Sequence, residues 1–212
     1  MKKISRLQYI TTDASLAEKA CIGGAKWIQL RLKNVNYEAY LETAKEVQLV
    51  CEQYNAIFIV NDNVSLALET GAHGVHLGKE DMPPAKARDL LGDDFIIGST
   101  ANTIEDIIRL SKEPINYIGL GPFRFTKTKE NLSPVIGLEG YEAIFAALNK
   151  QNIQHPPIVG IGGIETDDIA ALLQTGLYGI AVSGIISNAE DPAMITNTLL
   201  DAVYHTQLQT YE

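Results

Sequence analysis

The stretch IVGIGGIETDDIAALLQTGLYGIAVSG, residues 158–184, holds two short apolar runs on either side of a helical pattern. Residues 158–162 and 179–184 are rich in Ile, Val and Gly and too short for stable helices, so both read as buried strands. Residues 167–174 between them read as a helix. Strand, helix and strand in so little chain means two parallel strands joined by a crossover helix. The first strand ends in Gly160-Ile161-Gly162-Gly163-Ile164 and the second in Val182-Ser183-Gly184-Ile185. Such glycines let backbone N–H groups come close to an anion.

The same unit recurs towards the N-terminus. Apolar runs at 7–12, 27–32, 57–61, 74–78, 95–100 and 117–121 bring the candidate strands to eight. Helical patterns fall at 37–53, where Tyr40, Leu41, Ala44, Val47 and Val50 keep a period near 3.6, and at 104–111, 141–149 and 192–208. Pro192 suits a first helical position and Asp191 before it an N-cap. Eight such units fill 212 residues with no linker or low-complexity segment. The expectation is an α/β chain folded as one (β/α)8 TIM barrel, a single compact domain over 1–212. A doubly wound open sheet is the alternative. It has fewer strands and a glycine-rich loop after the first; here that loop is Thr12-Asp13-Ala14-Ser15.

Composition narrows the function. The formal net charge is −9 and no basic run exceeds Lys2-Lys3, which excludes a nucleic-acid footprint. No apolar run approaches the ~20 residues that cross a membrane, and the start reads as mature sequence without a signal peptide. Cys21 and Cys51 lie in no metal-ligand spacing and read as reduced thiols of a cytoplasmic protein. An acidic chain that binds small anions must gather its cations locally. The segment GPFRFTKTKENLSPVIG, 121–137, does so with Arg124, Lys127 and Lys129 on a long polar loop.

In a barrel the chemistry sits at the C-terminal strand ends. Strand 2 ends in Gln29-Leu30-Arg31-Leu32-Lys33, so Gln29, Arg31 and Lys33 share a face. Inside a barrel those cations need an anion. Strand 3 ends in Asn61-Asp62 and strand 4 leads to Asp81. Two carboxylates there fit Mg²⁺, which takes one or two carboxylates, waters and phosphate oxygens; each also fits a helix cap. Strand 5 ends in Gly98-Ser99-Thr100-Ala101-Asn102, small donors that suit either an oxygen-rich ligand or a cap. The loops after strands 7 and 8 are the usual phosphate site of such barrels. His76 lies within strand 4, facing either the site or a satisfied core; His73, His155 and His205 read as peripheral. No Ser–His or Cys–His nucleophile pair emerges. A metal with cations beside a second phosphate site points to a diphosphate leaving group and a phosphorylated acceptor.

Taken in order, Gln29-Leu30-Arg31-Leu32-Lys33, Asn61-Asp62, Gly74-Val75-His76-Leu77-Gly78-Lys79-Glu80-Asp81, Gly121-Pro122 with Thr126-Lys127-Thr128-Lys129, Gly162-Gly163-Ile164 and Val182-Ser183 resemble the thiamine-phosphate synthase family over nearly the whole chain. The resemblance implies a transferase that joins hydroxymethylpyrimidine diphosphate to thiazole phosphate and releases diphosphate. It implies that Gln29, Arg31, Lys33 and Asn61 hold the pyrimidine diphosphate and that Asp62 and Asp81 bind Mg²⁺. Lys129 would reach the diphosphate, with Arg31 and Lys33 stabilising it as it leaves. Thr126 and Thr128 would border the thiazole, and Gly163, Val182 and Ser183 would cradle its phosphate. The family pattern Gly-x-Ser-x-His after strand 5 is altered: Thr100 takes the serine position, or Ser99 after a one-residue slide, and Asn102 takes the histidine position. Asparagine does not titrate near neutral pH, so proton transfer there is not expected.

On this reading the 121–137 loop is a lid. Partners are the two small molecules, with no nucleic acid and no membrane, and a homo-oligomer is compatible with the sequence. Three rivals share the fold: a thiazole tautomerase-like relative, a different phosphate-using isomerase or epimerase, and a non-catalytic thiazole-phosphate binder.

Overall fold

The computed structural model describes residues 4–125 and 134–205. Eight parallel strands close in chain order: β1 (Leu7–Thr11), β2 (Trp27–Leu30), β3 (Ile57–Asn61), β4 (Gly74–Leu77), β5 (Ile96–Ala101), β6 (Tyr117–Leu120), β7 (Ile158–Ile161) and β8 (Gly179–Val182). The ring is completed by β1 on β8, with Gln8 opposite Ala181. Around it run α1 (Ala14–Ile22), α2 (Tyr37–Gln53), α3 (Val64–Thr70), α4 (Pro84–Leu91), α5 (Ile104–Leu110), α6 (Gly137–Lys150), α7 (Ile169–Gln174), α8 (Gly184–Ser187) and α9 (Pro192–His205). The open-sheet alternative is thereby excluded. No helix among the described residues is long and apolar enough to cross a membrane.

Strand alternation builds two cores. Outward residues such as Leu7, Ile28, Val60, Val75 and Ile118 pack under the helices. Inward residues Trp27, Ile59, Ile96, Tyr117, Val159 and Ala181 fill the barrel, closed below by Ile4. Tyr117 meets Trp27 edge-to-face at 4.8 Å between ring centres. Such a pair adds about 0.5–1.5 kcal/mol to simple burial.

Local chemistry sets the helix starts. Asp13, Asn36 and Asn63 accept the backbone N–H groups of Leu16, Ala39 and Leu66 at 2.8, 2.8 and 2.9 Å. Asp191 accepts from Ala193 and Met194 at 3.0 Å, as its place before Pro192 predicts. Several strands end one or two residues earlier than their apolar runs. At the mouth the chain leaves the sheet, and helix side chains satisfy the carbonyls there. Tyr40 of α2 donates to the Leu30 and Asn61 carbonyls at 3.0 and 3.1 Å, and Tyr141 of α6 to Leu120 at 2.5 Å. The helix expected at 167–174 begins as a 3-10 turn, Thr166–Asp168, and becomes α-helical at Ile169.

Candidate active site

The C-terminal mouth carries a cavity of about 610 Å³ lined by Arg31, Thr100, Gly163, Val182 and Ser183 among others. A shallower hollow of about 370 Å³ beside it is lined by Asn61 and Asp62 with Tyr40 and Met82. Of the residues singled out in the sequence, Gln29 lies deeper, 2% exposed on the inner face of β2. Lys33 is at the rim with its side chain half exposed. Thr126, Thr128 and Lys129, with Lys127, lie outside the described residues.

The two carboxylates meet. Asp62 and Asp81 interact side chain to side chain, and both crowd Gly78. A Cβ there would lie 2.8 Å from Asp81 Oδ2 and 4.0 Å from Asp62 Oδ1. Neither caps a helix through its side chain. Asn63 caps α3 and Pro83 stands before α4, so the capping reading fails at both positions. Asp62 sits at φ 64°, a left-handed conformation unusual for a side chain-bearing residue. It is anchored by its N–H on the His76 carbonyl at 2.8 Å.

Lys33 Nζ pairs with Asp62 Oδ2, and Gly78 N–H donates to Asp81 Oδ2 at 2.6 Å. Burial, then contact with Asp62, pushes Asp81 up to about 6. Burial also opposes ionisation of Asp62, but the bond from Asp81 and the Lys33 ammonium outweigh it and hold Asp62 below the ordinary carboxyl value. Two carboxyls this close resist ionising together, and a cation between them relieves that repulsion. Among the described residues no group of three or more His, Cys, Asp or Glu converges. The donor set therefore fits a hard divalent ion that keeps waters and substrate oxygens, not a closed protein cage.

On β5 the inward residues nearest the mouth are Gly98 and Thr100. Thr100 lines the cavity while Ser99 is buried opposite Leu77 of β4, so the one-residue slide is not needed. Asn102, at the position of the family's histidine, donates through Nδ2 to the Gly121 carbonyl at 2.5 Å. It ties the β5 loop to the root of the loop after β6. Its own N–H is held by Asp106, which also pairs with Lys79 at 2.5 Å.

The glycine turn after β7 has a packing cause. Gly162 and Gly163 take φ 101° and 66°, where glycine alone is unstrained. A Cβ at Gly162 would lie 2.8 Å from Pro122 Cβ, and one at Gly163 2.8 Å from Arg124 Cβ. The chain after β6 thus lies directly on this turn: Phe123 N–H bonds the Ile161 carbonyl and Arg124 N–H the Gly162 carbonyl, both at 2.9 Å. Arg124, expected to charge the site, instead grips Asp168 with two bonds of 2.6 Å and the Gly163 carbonyl at 2.7 Å. The α8 helix follows β8 at once, the short extra helix of phosphate-binding barrels.

Sequence reading missed one set of polar residues: Gln8, Tyr117 and the pairing of His76 with them, all inside the barrel. The available signal was Gly98 and Gly119, whose missing side chains leave room for those rings. Cys21 and Cys51 are both buried and free. Burial pushes the Cys21 thiol up to about 11 and the Cys51 thiol higher, so neither is a nucleophile at neutral pH.

Comparison with known proteins agrees with this architecture. A family profile described as thiamine monophosphate synthase matches residues 4–186. A thiamine-phosphate synthase of Bacteroides thetaiotaomicron is 49% identical, covering 92% of this chain and 96% of that one. One from Flavobacterium psychrophilum is 45% identical, covering 92% and 97%. Among solved structures, the thiamine phosphate pyrophosphorylase of Pyrococcus furiosus superposes with a TM-score of 0.83 at 32% identity over 95% of this chain and 96% of that one. Fold and sequence agree: the chain belongs to the thiamine monophosphate synthase family.

Proposed function

We propose that this protein is a cytoplasmic transferase that condenses hydroxymethylpyrimidine diphosphate with thiazole phosphate, giving thiamine phosphate and diphosphate. The observation that carries the reading is the paired layout of the mouth. Asp62, paired with Lys33 and Asp81, lines one hollow, and Gly163, Val182 and Ser183 line the adjoining cavity, whose wall Arg31 and Thr100 share.

Gln29, Arg31, Lys33, Asn61 and Thr100 hold the pyrimidine diphosphate. Gly163, Val182 and Ser183 hold the thiazole phosphate, bordered by Thr126 and Thr128 of the loop after β6, from which Lys129 reaches the diphosphate. Asp62 and Asp81 would hold Mg²⁺, which when bound neutralises charge on the diphosphate. The pyrimidine CH₂–O bond breaks and the electron pair leaves with the diphosphate. The benzyl-like cation is stabilised by the aminopyrimidine ring, and the thiazole nitrogen donates its lone pair to the methylene carbon. Arg31, Lys33 and Lys129 stabilise the departing charge, the kind of preorganised electrostatics that supplies the largest catalytic term in many enzymes. No protein nucleophile is required, in keeping with two buried, protonated cysteines.

The test is direct. Purified protein with both substrates and Mg²⁺ should release one diphosphate for each thiamine phosphate formed, and EDTA should stop it. Binding of thiazole phosphate without product, with metal present, would overturn the reading.

A further inference from the structure

An unbroken chain of side-chain hydrogen bonds crosses the barrel interior beneath the cavity. Gln29 Nε2 donates to Gln8 Oε1 at 3.1 Å. Gln8 Nε2 donates to Tyr117 Oη at 3.2 Å. Tyr117 Oη lies 3.0 Å from His76 Nδ1, and His76 Nε2 lies 3.0 Å from Thr100 Oγ1. Gln8, Gln29, Tyr117 and His76 are all more than nine-tenths buried, whereas Thr100 lines the cavity.

The sequence leaves deliberate room for this chain. A Cβ on Gly98 would fall 2.1 Å from Tyr117 Cζ, and one on Gly119 3.0 Å from His76 Cε1. The two rings occupy space that side chains at these two positions would fill.

Donor arithmetic sets the direction. A primary amide nitrogen only donates, so Tyr117 Oη accepts from Gln8 and has its single proton left for His76. Burial pushes the Tyr117 phenol well above its usual value, so that proton stays on oxygen. His76 Nδ1 is then the acceptor, and a neutral imidazole carries its proton on Nε2. That N–H is spent on Thr100 Oγ1. With a hydrogen bond already accepted, the threonine's own proton is left to point elsewhere.

We infer that His76 and Tyr117 are positioning residues: by fixing the histidine tautomer they make the Thr100 hydroxyl a hydrogen-bond donor into the cavity. The acceptors of an aminopyrimidine are its ring nitrogens, so the chain selects and orients that ring. No proton is transferred. The inference rests on the reading that Thr100 faces the pyrimidine substrate. It also joins the two readings of His76, as a site-facing and as a core residue, since the buried ring reaches Thr100 at the cavity wall.

The test uses ¹⁵N-histidine-labelled protein, with the His76 signals assigned by their loss in His76→Gln, alongside steady-state kinetics. The wild-type imidazole should be the neutral Nε2–H tautomer. Tyr117→Phe, which keeps the ring in its glycine-lined slot, should lose that bias. It should also raise KM for the pyrimidine diphosphate roughly tenfold, about one neutral hydrogen bond, and leave KM for thiazole phosphate unchanged. A general packing defect would move both KM values together. An Nδ1–H tautomer in the wild-type protein, or an unaltered pyrimidine KM in Tyr117→Phe, would overturn the inference. If Tyr117→Phe fails to fold, the wild-type tautomer alone decides. A wild-type protein that forms no thiamine phosphate yet shows the Nε2–H tautomer would instead count against the functional reading and leave the hydrogen-bond direction standing.

Discussion

On the β2–β4 side of the mouth, Lys33, Asp62 and Asp81 meet through charged side chains, and the turn at Asp62 is held at φ 64° to bring them together. On the β6–β8 side the work falls to backbone: Gly162 and Gly163 at φ 101° and 66° take the chain from Pro122 to Arg124 directly onto the β7 turn. One half is an electrostatic device whose parts act through charge. The other is a shape device whose parts act by lacking side chains. The first is suited to a diphosphate that gathers charge as it leaves. The second is suited to a phosphate that only has to be held. The Arg124–Asp168 pair belongs to the second half although it is ionic, because it fixes the glycine turn.

The contrast is open to attack by substitution. The largest effect is expected on the charged half. Asp62→Ala should cut turnover on the order of a hundredfold through weakened metal holding, with little change in melting temperature; normal rates would remove the metal role. Next, Gly98→Ala should destabilise the barrel by about 1–3 kcal/mol through overpacking against Tyr117, read by denaturant unfolding. Asn102→Ala should lose the bond to the Gly121 carbonyl and lower turnover several-fold, about one neutral hydrogen bond. Asn102→His tests whether restoring the family's residue restores or harms that tie. The smallest effect belongs to Arg124→Met. The arginine beside Asp168, and then the Glu165 N–H, hold that carboxyl below its ordinary value. The stability it adds is complete above the normal carboxyl range and vanishes as pH falls through the lowered folded value. The variant and the parent should therefore differ in melting temperature at neutral pH and converge in acid.

The sequence made the barrel legible because alternation of apolar runs and helical patterns needs no long-range information. Helix α2 was readable to its ends over Tyr37–Gln53, for its apolar stripe spans several turns. Helices α1, α3 and α4, of nine, seven and eight residues, were not singled out; in so few turns the apolar period is weak, although α5 and α7, no longer, were read. Asp62, just after β3, and Asp81, in the loop after β4, were singled out in the sequence, and their side chains come together. Arg124 was misread as a site cation because Asp168 lies on the far side of β7 in sequence, and nothing local announces an ion pair across 44 positions. The linkage from Gln29 to Thr100 was missed for the same reason, with only Gly98 and Gly119 to hint at it. Each member is an ordinary strand residue until the ring closes and places β1, β2, β4, β5 and β6 around one axis.

The central claim is that the two halves serve different substrates. It is tested most directly by titrating each substrate separately, in the presence of Mg²⁺, into Lys33→Ala and Gly163→Ala. The account predicts that Lys33→Ala weakens the pyrimidine diphosphate roughly tenfold or more and spares thiazole phosphate, with the reverse for Gly163→Ala. If both variants weakened the same ligand, the division of the mouth into a charge device and a shape device would be wrong.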